Sequence, residues 1–361
     1  LENLDKLTSE ALALLKELIR TPSFSREEDK TADLLAGFME EKAISWHRNG
    51  NNVWACHREF DPDLPTIMLN SHHDTVRPNQ GYTLDPFLPV EKNGKLFGLG
   101  ANDAGGCLVS LLATFIYFQG KKLPVNLLFL ASAEEEISGK AGMESMIAEL
   151  PELACAIVGE PTKLKMAVAE KGLLVIDGEV KGKAGHAARE EGINAIYEAL
   201  DDLILIRDFE FSKTSAFLGP NKVTATIIQA GSQHNVVPDL CSYTLDVRVT
   251  DAYTLEEALA ELQQKLKAKL QPRSMRLRSS RIDVEHPLVK AAASLHIATF
   301  GSPTLSDQAL IPYPSVKIGP GDSARSHTPD EFIYTTELGE GITTYIQLLE
   351  TYFSLLTDPK K

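Results

Sequence analysis

The sequence predicts an α/β fold: a catalytic domain with a mixed, largely parallel sheet flanked by helices, interrupted by a smaller α+β domain. Three observations carry this expectation. Short apolar runs at residues 53–56, 66–69, 125–131 and 156–158 have buried-strand character and alternate with helical segments. Polar residues follow the ends of three of those runs, at His72 and Asp74, at Glu134–Glu136 and at Glu160, where open α/β sheets bind ligands. From about Glu170 the texture shifts to alternating strands and amphipathic helices, a module of roughly a hundred residues, within the usual domain range.

Each element has a local reason. Leu7, Ala11, Leu12, Leu15, Leu18 and Ile19 form one helical stripe, which Thr21-Pro22 stops. Ser25 followed by Arg26-Glu27-Glu28 reads as an N-cap with early acids opening a second helix. Residues 107–118 are apolar enough for a buried helix. The inserted module contributes strands at 173–180, 223–229 and 243–249, with helices at 193–206 and 255–270, the latter acidic early and lysine-rich late. Residues 287–300 resume as helix, and 316–319 form a last buried strand before His327. The domains are therefore 1–169 with 283–361, and the insertion 170–282.

Composition narrows the function. A net charge of −14 over 361 residues disfavours nucleic acid and anionic membranes, both of which want a basic face. Cys56, Cys107, Cys155 and Cys241 are scattered without a CxxC pair and read as reduced thiols. The first residues lack a basic leader, and no apolar run approaches the ~20 residues of a membrane span. A cytoplasmic chain is expected. GxSxG and HExxH motifs are both missing.

Five segments carry chemical candidates. In Asn70-Ser71-His72-His73-Asp74, positions two apart point the same way, so Asp74 can orient His72 as carboxylates orient metal-bound imidazoles. The bland alternative is a capping Asp beside two solvated histidines. Gly98–Gly106 places Asp103 before an apolar helix, as a ligand or as a plain N-cap. Glu134-Glu135-Glu136 is either a solvated loop or a cation ligand beside a general base. Glu160 and His327 are single polar residues, weak alone.

In this order the segments resemble a two-zinc peptidase and deacylase family that includes acetylornithine deacetylase, succinyl-diaminopimelate desuccinylase, aminoacylase and carboxypeptidase G. The resemblance rests on Ser71–Val76, Gly98–Gly106, Ala133–Glu136, Gly159-Glu160-Pro161-Thr162 and Ser326–Glu331. It departs at Ala104-Gly105-Gly106, where the family has Met-Lys-Gly, and at Glu134, where it has Asp. The resemblance implies two Zn²⁺ ions, with Co²⁺ or Mn²⁺ as substitutes. His72 and His327 would be metal ligands, Asp103 the bridging acid, and Glu136 and Glu160 the terminal ligands. Glu135 would be the general base acting with a metal-bound hydroxide, and Asp74 the partner of His72. In the inserted dimerisation (lid) domain, His186 would stabilise the oxyanion, with Asn235 and Arg248 as substrate contacts. The implied substrate is an N-acyl-L-amino acid, N²-acetyl- or N²-succinyl-ornithine foremost, in arginine biosynthesis. The alternatives are diaminopimelate desuccinylation, a zinc dipeptidase or aminoacylase, and a non-catalytic dimeric binding homologue. A homodimer is implied, and Arg77 and Arg325 are candidates for holding a succinyl carboxylate.

Overall fold

The computed structural model describes residues 2–357. It sets the strands Thr66–His72 and Asn126–Ser132 side by side and parallel, buried at every position. Burial of all seven residues in each is what a strand covered on both faces requires, and it explains why these runs are continuously apolar rather than alternating. Across the main part of the sheet the order is His47–Asn49, Asn52–Cys56, Asn126–Ser132, Thr66–His72, Leu153–Val158 and Ser315–Lys317. The first two junctions in this order are antiparallel, and the remaining three are parallel. The expected mixed α/β sheet is therefore present.

Helix Gly106–Phe118 lies in the core, with every residue buried except Ile116 and Tyr117. With the preceding turn it forms Ala101–Phe118, a stretch long and apolar enough to cross a membrane by length and composition, although 83% of it is buried inside the fold. That is the burial of a central core helix, and it qualifies the sequence reading that no apolar run nears such a length. Helix Glu2–Arg20 adds Leu7, Ala11, Leu14, Leu15, Leu18 and Ile19 to the same core. The last helix, Thr335–Thr357, adds Leu338, Ile342, Tyr345, Leu349 and Tyr352.

The chain divides into two compact units. One holds the chain up to Val168, Arg281–Phe300 and the chain from Ser306 onward; the other holds Ala169–Ser280 and Gly301–Leu305. The last of these segments belongs to the first domain in the sequence reading. It joins the second unit because Gly301 lies against the Phe217 carbonyl, so closely that a Cβ would sit 2.3 Å from it. The second unit is an antiparallel sheet in the order Lys222–Ala230, Leu240–Val249, Gly172–Lys181, Lys269–Pro272, with helices Ala195–Arg207 and Leu255–Lys265.

Three local expectations need correction. The second helix starts at Asp29, and Ser25 does not cap it, because its hydroxyl donates to Asp74 at 2.7 Å instead. The helix expected over 255–270 ends at Lys265. There the N–H groups of Lys267 and Ala268 turn onto the buried Asp202 carboxylate, each at 2.9 Å, and residues 269–272 pair as an edge strand. The helix expected over 287–300 ends at Ser294, the chain passes through His296 at φ 58°, and Thr299–Ser302 is a strand.

Gly105 allows the turn before the core helix to close. A Cβ there would stand 2.5 Å from the Gly100 carbonyl oxygen and 2.7 Å from Leu15 Cδ1. Gly105→Ala is expected to lower the urea-unfolding free energy of the metal-free protein by about 1–3 kcal/mol, the usual cost of overpacking. An unchanged midpoint contradicts this packing account.

Candidate metal centre

Parallel pairing puts His72, the last residue of its strand, opposite Ser132, the last of the neighbouring strand. Both chains leave the sheet at one edge, His72 followed by Asp74 and Ser132 followed by Glu134–Glu136. Leu153–Val158 is parallel to Thr66–His72 and delivers Glu160 just beyond the same edge. The fold thus gathers residues from four chain segments, and His327 arrives from a fifth.

They form two donor trios, His72 with Asp103 and Glu160, and His327 with Asp103 and Glu136, each offering ligand atoms within 4.8 Å of one another. Asp103 belongs to both. Its Oδ1 lies 3.3 Å from His72 Nε2, and its Oδ2 lies 3.7 Å from His327 Nε2. Glu160 Oε1 is 3.8 Å from His72 Nε2, and Glu136 Oε2 is 3.0 Å from His327 Nε2. Glu135 stands in neither trio, with Oε2 3.9 Å from His72 Nε2.

The backbone of the acidic triplet is held by other carboxylates. Asp74 Oδ1 accepts the N–H of Glu135 and Oδ2 that of Glu136, both at 3.1 Å. Glu28 Oε1, fully buried, accepts the N–H of Glu134 at 3.1 Å. Glu134 sits at φ 55° and its carboxylate accepts from the Ala141 N–H at 3.4 Å, away from both trios. On the other side of His72, Nδ1 lies 3.0 Å from the Asp74 carbonyl oxygen and 3.4 Å from Asp74 Oδ1. Nδ1–H therefore donates towards Asp74 and leaves Nε2 facing the first trio.

Burial and the crowding of acids shift the titration of both histidines and of Glu135. Burial opposes charge on His72, but Asp103 and Asp74, with Glu135 and Glu160, outweigh it and hold its pKa well above the usual imidazole range. Glu136 raises His327 to about 9, against some loss from burial. Burial pushes Glu135 well above the usual carboxylate range, opposed by His72 and aided by Glu160, Asp307 and Glu136. Burial also lifts Asp307 to about 6, although the Ser132 hydroxyl donates to it at 2.6 Å.

The donor set fits two small divalent cations. Ligand bonds of ~2.0–2.2 Å at a tetrahedral centre imply ligand-to-ligand spacings of ~3.3–3.5 Å, and mixed imidazole and carboxylate donors suit zinc. The spacings here, 3.3 and 3.8 Å in one trio and 3.0 and 3.7 Å in the other, bracket that range. A carboxylate shared by two ions must present one oxygen to each, which is how Asp103 is turned.

The second unit brings two more candidates together. Gly185–His186 pairs antiparallel with Val236–Val237, and the Ala187 N–H donates to the Asn235 carbonyl at 3.0 Å, so His186 and Asn235 share one small ladder. Arg248 grips Asp246, with Nε 2.8 Å from Oδ1 and Nη2 3.0 Å from Oδ2. Arg325 is engaged by Glu337 through two bonds of 2.6 and 2.9 Å and stacks on Phe332. Arg77 pairs with Glu27 at 2.7 Å and lies over Phe24. Both are thus already partnered by acids. The sequence reading gave no role at the centre to Ser25, which donates to Asp74, to Glu28, which accepts the Glu134 N–H, to Glu331, which accepts the Asn102 and Asp103 N–H groups, or to Asn102, Ser132 and Asp307, which hold neighbouring groups by hydrogen bonds.

Residues 68–351 match peptidase family M20/M25/M40. An acetylornithine deacetylase of Edwardsiella ictaluri is 28% identical, over 94% of this chain and 97% of its own length. One from Shigella sonnei is also 28% identical, over 90% and 93%. Among solved structures, aminopeptidase PepT from Bacillus cereus superposes with a TM-score of 0.78 at 18% identity, covering 96% of this chain and 98% of its own. The YXEP protein of Bacillus subtilis, described as a dinuclear metal binding peptidase from the M20 family, gives 0.76 at 18% identity, covering 98% and 99%. At those identities the likeness concerns the fold, and the sequence match over most of the chain carries the assignment: this protein belongs to peptidase family M20/M25/M40.

Proposed function

We propose that the chain is a two-zinc amidohydrolase that removes the acyl group from the α-nitrogen of a small amino acid, N²-acetyl- or N²-succinyl-ornithine foremost. The observation that carries this reading is the attitude of Asp103, one carboxylate oxygen towards each histidine. The deacetylases among its relatives, matched nearly end to end at 28% identity, support the choice of substrate class. Cobalt or manganese can substitute for zinc in such a donor set.

Two bound divalent cations supply Lewis acidity, polarising the amide carbonyl and lowering the pKa of water from ~15.7 towards ~7. The chain's own residues do the rest. Glu135 takes the proton of the attacking water and passes it to the leaving amine. It stands 3.9 Å from His72 of the first trio without belonging to either trio, and burial raises its affinity for that proton. Asp74 holds His72 in one tautomer and, through the N–H groups of Glu135 and Glu136, fixes where base and ligand point. His186 and Asn235 are assigned to the oxyanion and the substrate, and Arg248 to a substrate carboxylate once Asp246 releases it.

Two further assignments accompany this one. The cytoplasm is the proposed compartment, on the four unpaired cysteines. A homodimer is proposed through the second unit, where helix Ala195–Arg207 exposes Tyr197, Leu200 and Ile204 at helical spacing and the edge strand Lys222–Ala230 exposes Ile227 and Ile228. Ile204→Glu together with Ile228→Lys is expected to turn a dimer into a monomer in sedimentation analysis. A wild-type monomer contradicts the assignment.

Zinc-reconstituted protein is expected to hydrolyse N²-acetyl- or N²-succinyl-ornithine, to lose activity on chelation and to regain it with zinc. Glu135→Gln should lower kcat by about 10²–10⁴-fold while both ions stay bound. Cleavage of dipeptides with no turnover of any acylated amino acid would replace the deacylase reading with a peptidase one. Undiminished activity in the variant would remove Glu135 as the base.

A further inference from the structure

The turn Gly98–Asp103 and the segment Asp322–Glu331 interlock although Asp103 and Glu331 are 228 positions apart along the chain. Glu331 is only 2% exposed, and its Oε1 accepts two backbone N–H groups, from Asn102 at 2.8 Å and from Asp103 at 2.9 Å. Its own carbonyl accepts the Gly98 N–H at 3.0 Å. Asn102, fully buried, closes the clasp from the other side. Its Oδ1 accepts the Asp322 N–H at 3.0 Å, and its Nδ2 donates to the Asp322 carbonyl at 3.1 Å and to Ser326 Oγ at 3.3 Å.

One oxygen that receives two successive N–H groups fixes the peptide planes on both sides of the residue between them. Here it fixes the start of Asp103, a residue outside helical geometry at φ −120° and ψ 100°. Glu331 also lies four residues after His327, in the segment that supplies the second histidine. Glu136 and Glu160 each serve one donor trio, whereas a shift of Asp103 disturbs both at once.

We propose that Glu331 is a positioning residue. Through the N–H groups of Asn102 and Asp103 it holds the Asp103 carboxylate with one oxygen towards His72 and the other towards His327, and so makes the two cation sites bind as a pair. Its task is acceptance of hydrogen bonds, and it touches neither cation nor substrate. The proposal rests on the two-cation reading above.

The test is titration of the full-length metal-free chain with Co²⁺, read by calorimetry and by the visible ligand-field bands, with Tm of the metal-free form as control. Wild type is expected to bind two ions. Glu331→Gln keeps the accepting oxygen and is expected to retain both ions and the wild-type spectrum. Glu331→Ala is expected to weaken at least one ion by about 10–100-fold, as loss of a group orienting a ligand does, and to alter the bands. Should Glu331→Ala not fold, Glu331→Asp withdraws the acceptor while keeping a carboxyl group, and the same weakening is expected. Wild-type affinities and spectrum in the alanine or aspartate variant overturn the proposal, as does equal impairment of the glutamine variant. Failure of wild type to take two ions instead overturns the two-cation reading beneath it.

Discussion

Mutual repulsion among buried carboxylates is the constraint on which this molecule is built. Asp74, Asp103, Glu135, Glu136 and Glu160 converge on two imidazoles at one edge of a sheet, with Asp307 and Glu331 close behind. Negative charges a few ångströms apart in a poorly screened interior repel strongly unless something positive stands between them. These acids raise the pKa of His72 well above the usual imidazole range and that of His327 to about 9, while burial and the Asp103 charge lift Glu331 to about 8. Divalent cations held by the two trios would answer the same need.

Backbone amides are the second means of holding the acids. Asp74 accepts two N–H groups from the acidic triplet, Glu28 one more, and Glu331 two from the turn that carries Asp103. Asp74, Glu28 and Glu331 therefore each anchor a loop that carries a carboxylate of the centre. The sheet fixes where the chains end, and this outer set of acids fixes how the side chains leave.

Much of this was legible in the sequence, for physical reasons. Strands buried on both faces are apolar throughout, so residues 66–69 and 125–131 announced themselves, and His72 and Glu134–Glu136 followed directly from their ends. The ligands carried motifs of local spacing. Boundaries were harder: residues 255–270 look like one helix until Asp202, distant in sequence, captures the N–H groups of Lys267 and Ala268 just past its end at Lys265. Asp307 and Glu28 gave no signal, because their partners, Ser132 and the Glu134 N–H, are neighbours only in the folded chain. Glu331 sat within a recognised motif, four residues after His327, yet nothing local says that it reaches Asp103. Proximity in sequence also misled, since Arg77 and Arg325 lie near ligand segments but are held by Glu27 and Glu337.

The central claim is that Asp103 stands between two cations. Crystals of the zinc-loaded protein, with diffraction collected on both sides of the zinc absorption edge, test it most directly. Two anomalous peaks are expected, one against His72 and Glu160 and one against His327 and Glu136, with an Asp103 oxygen reaching each. A single peak, or two peaks that Asp103 does not join, would contradict the account.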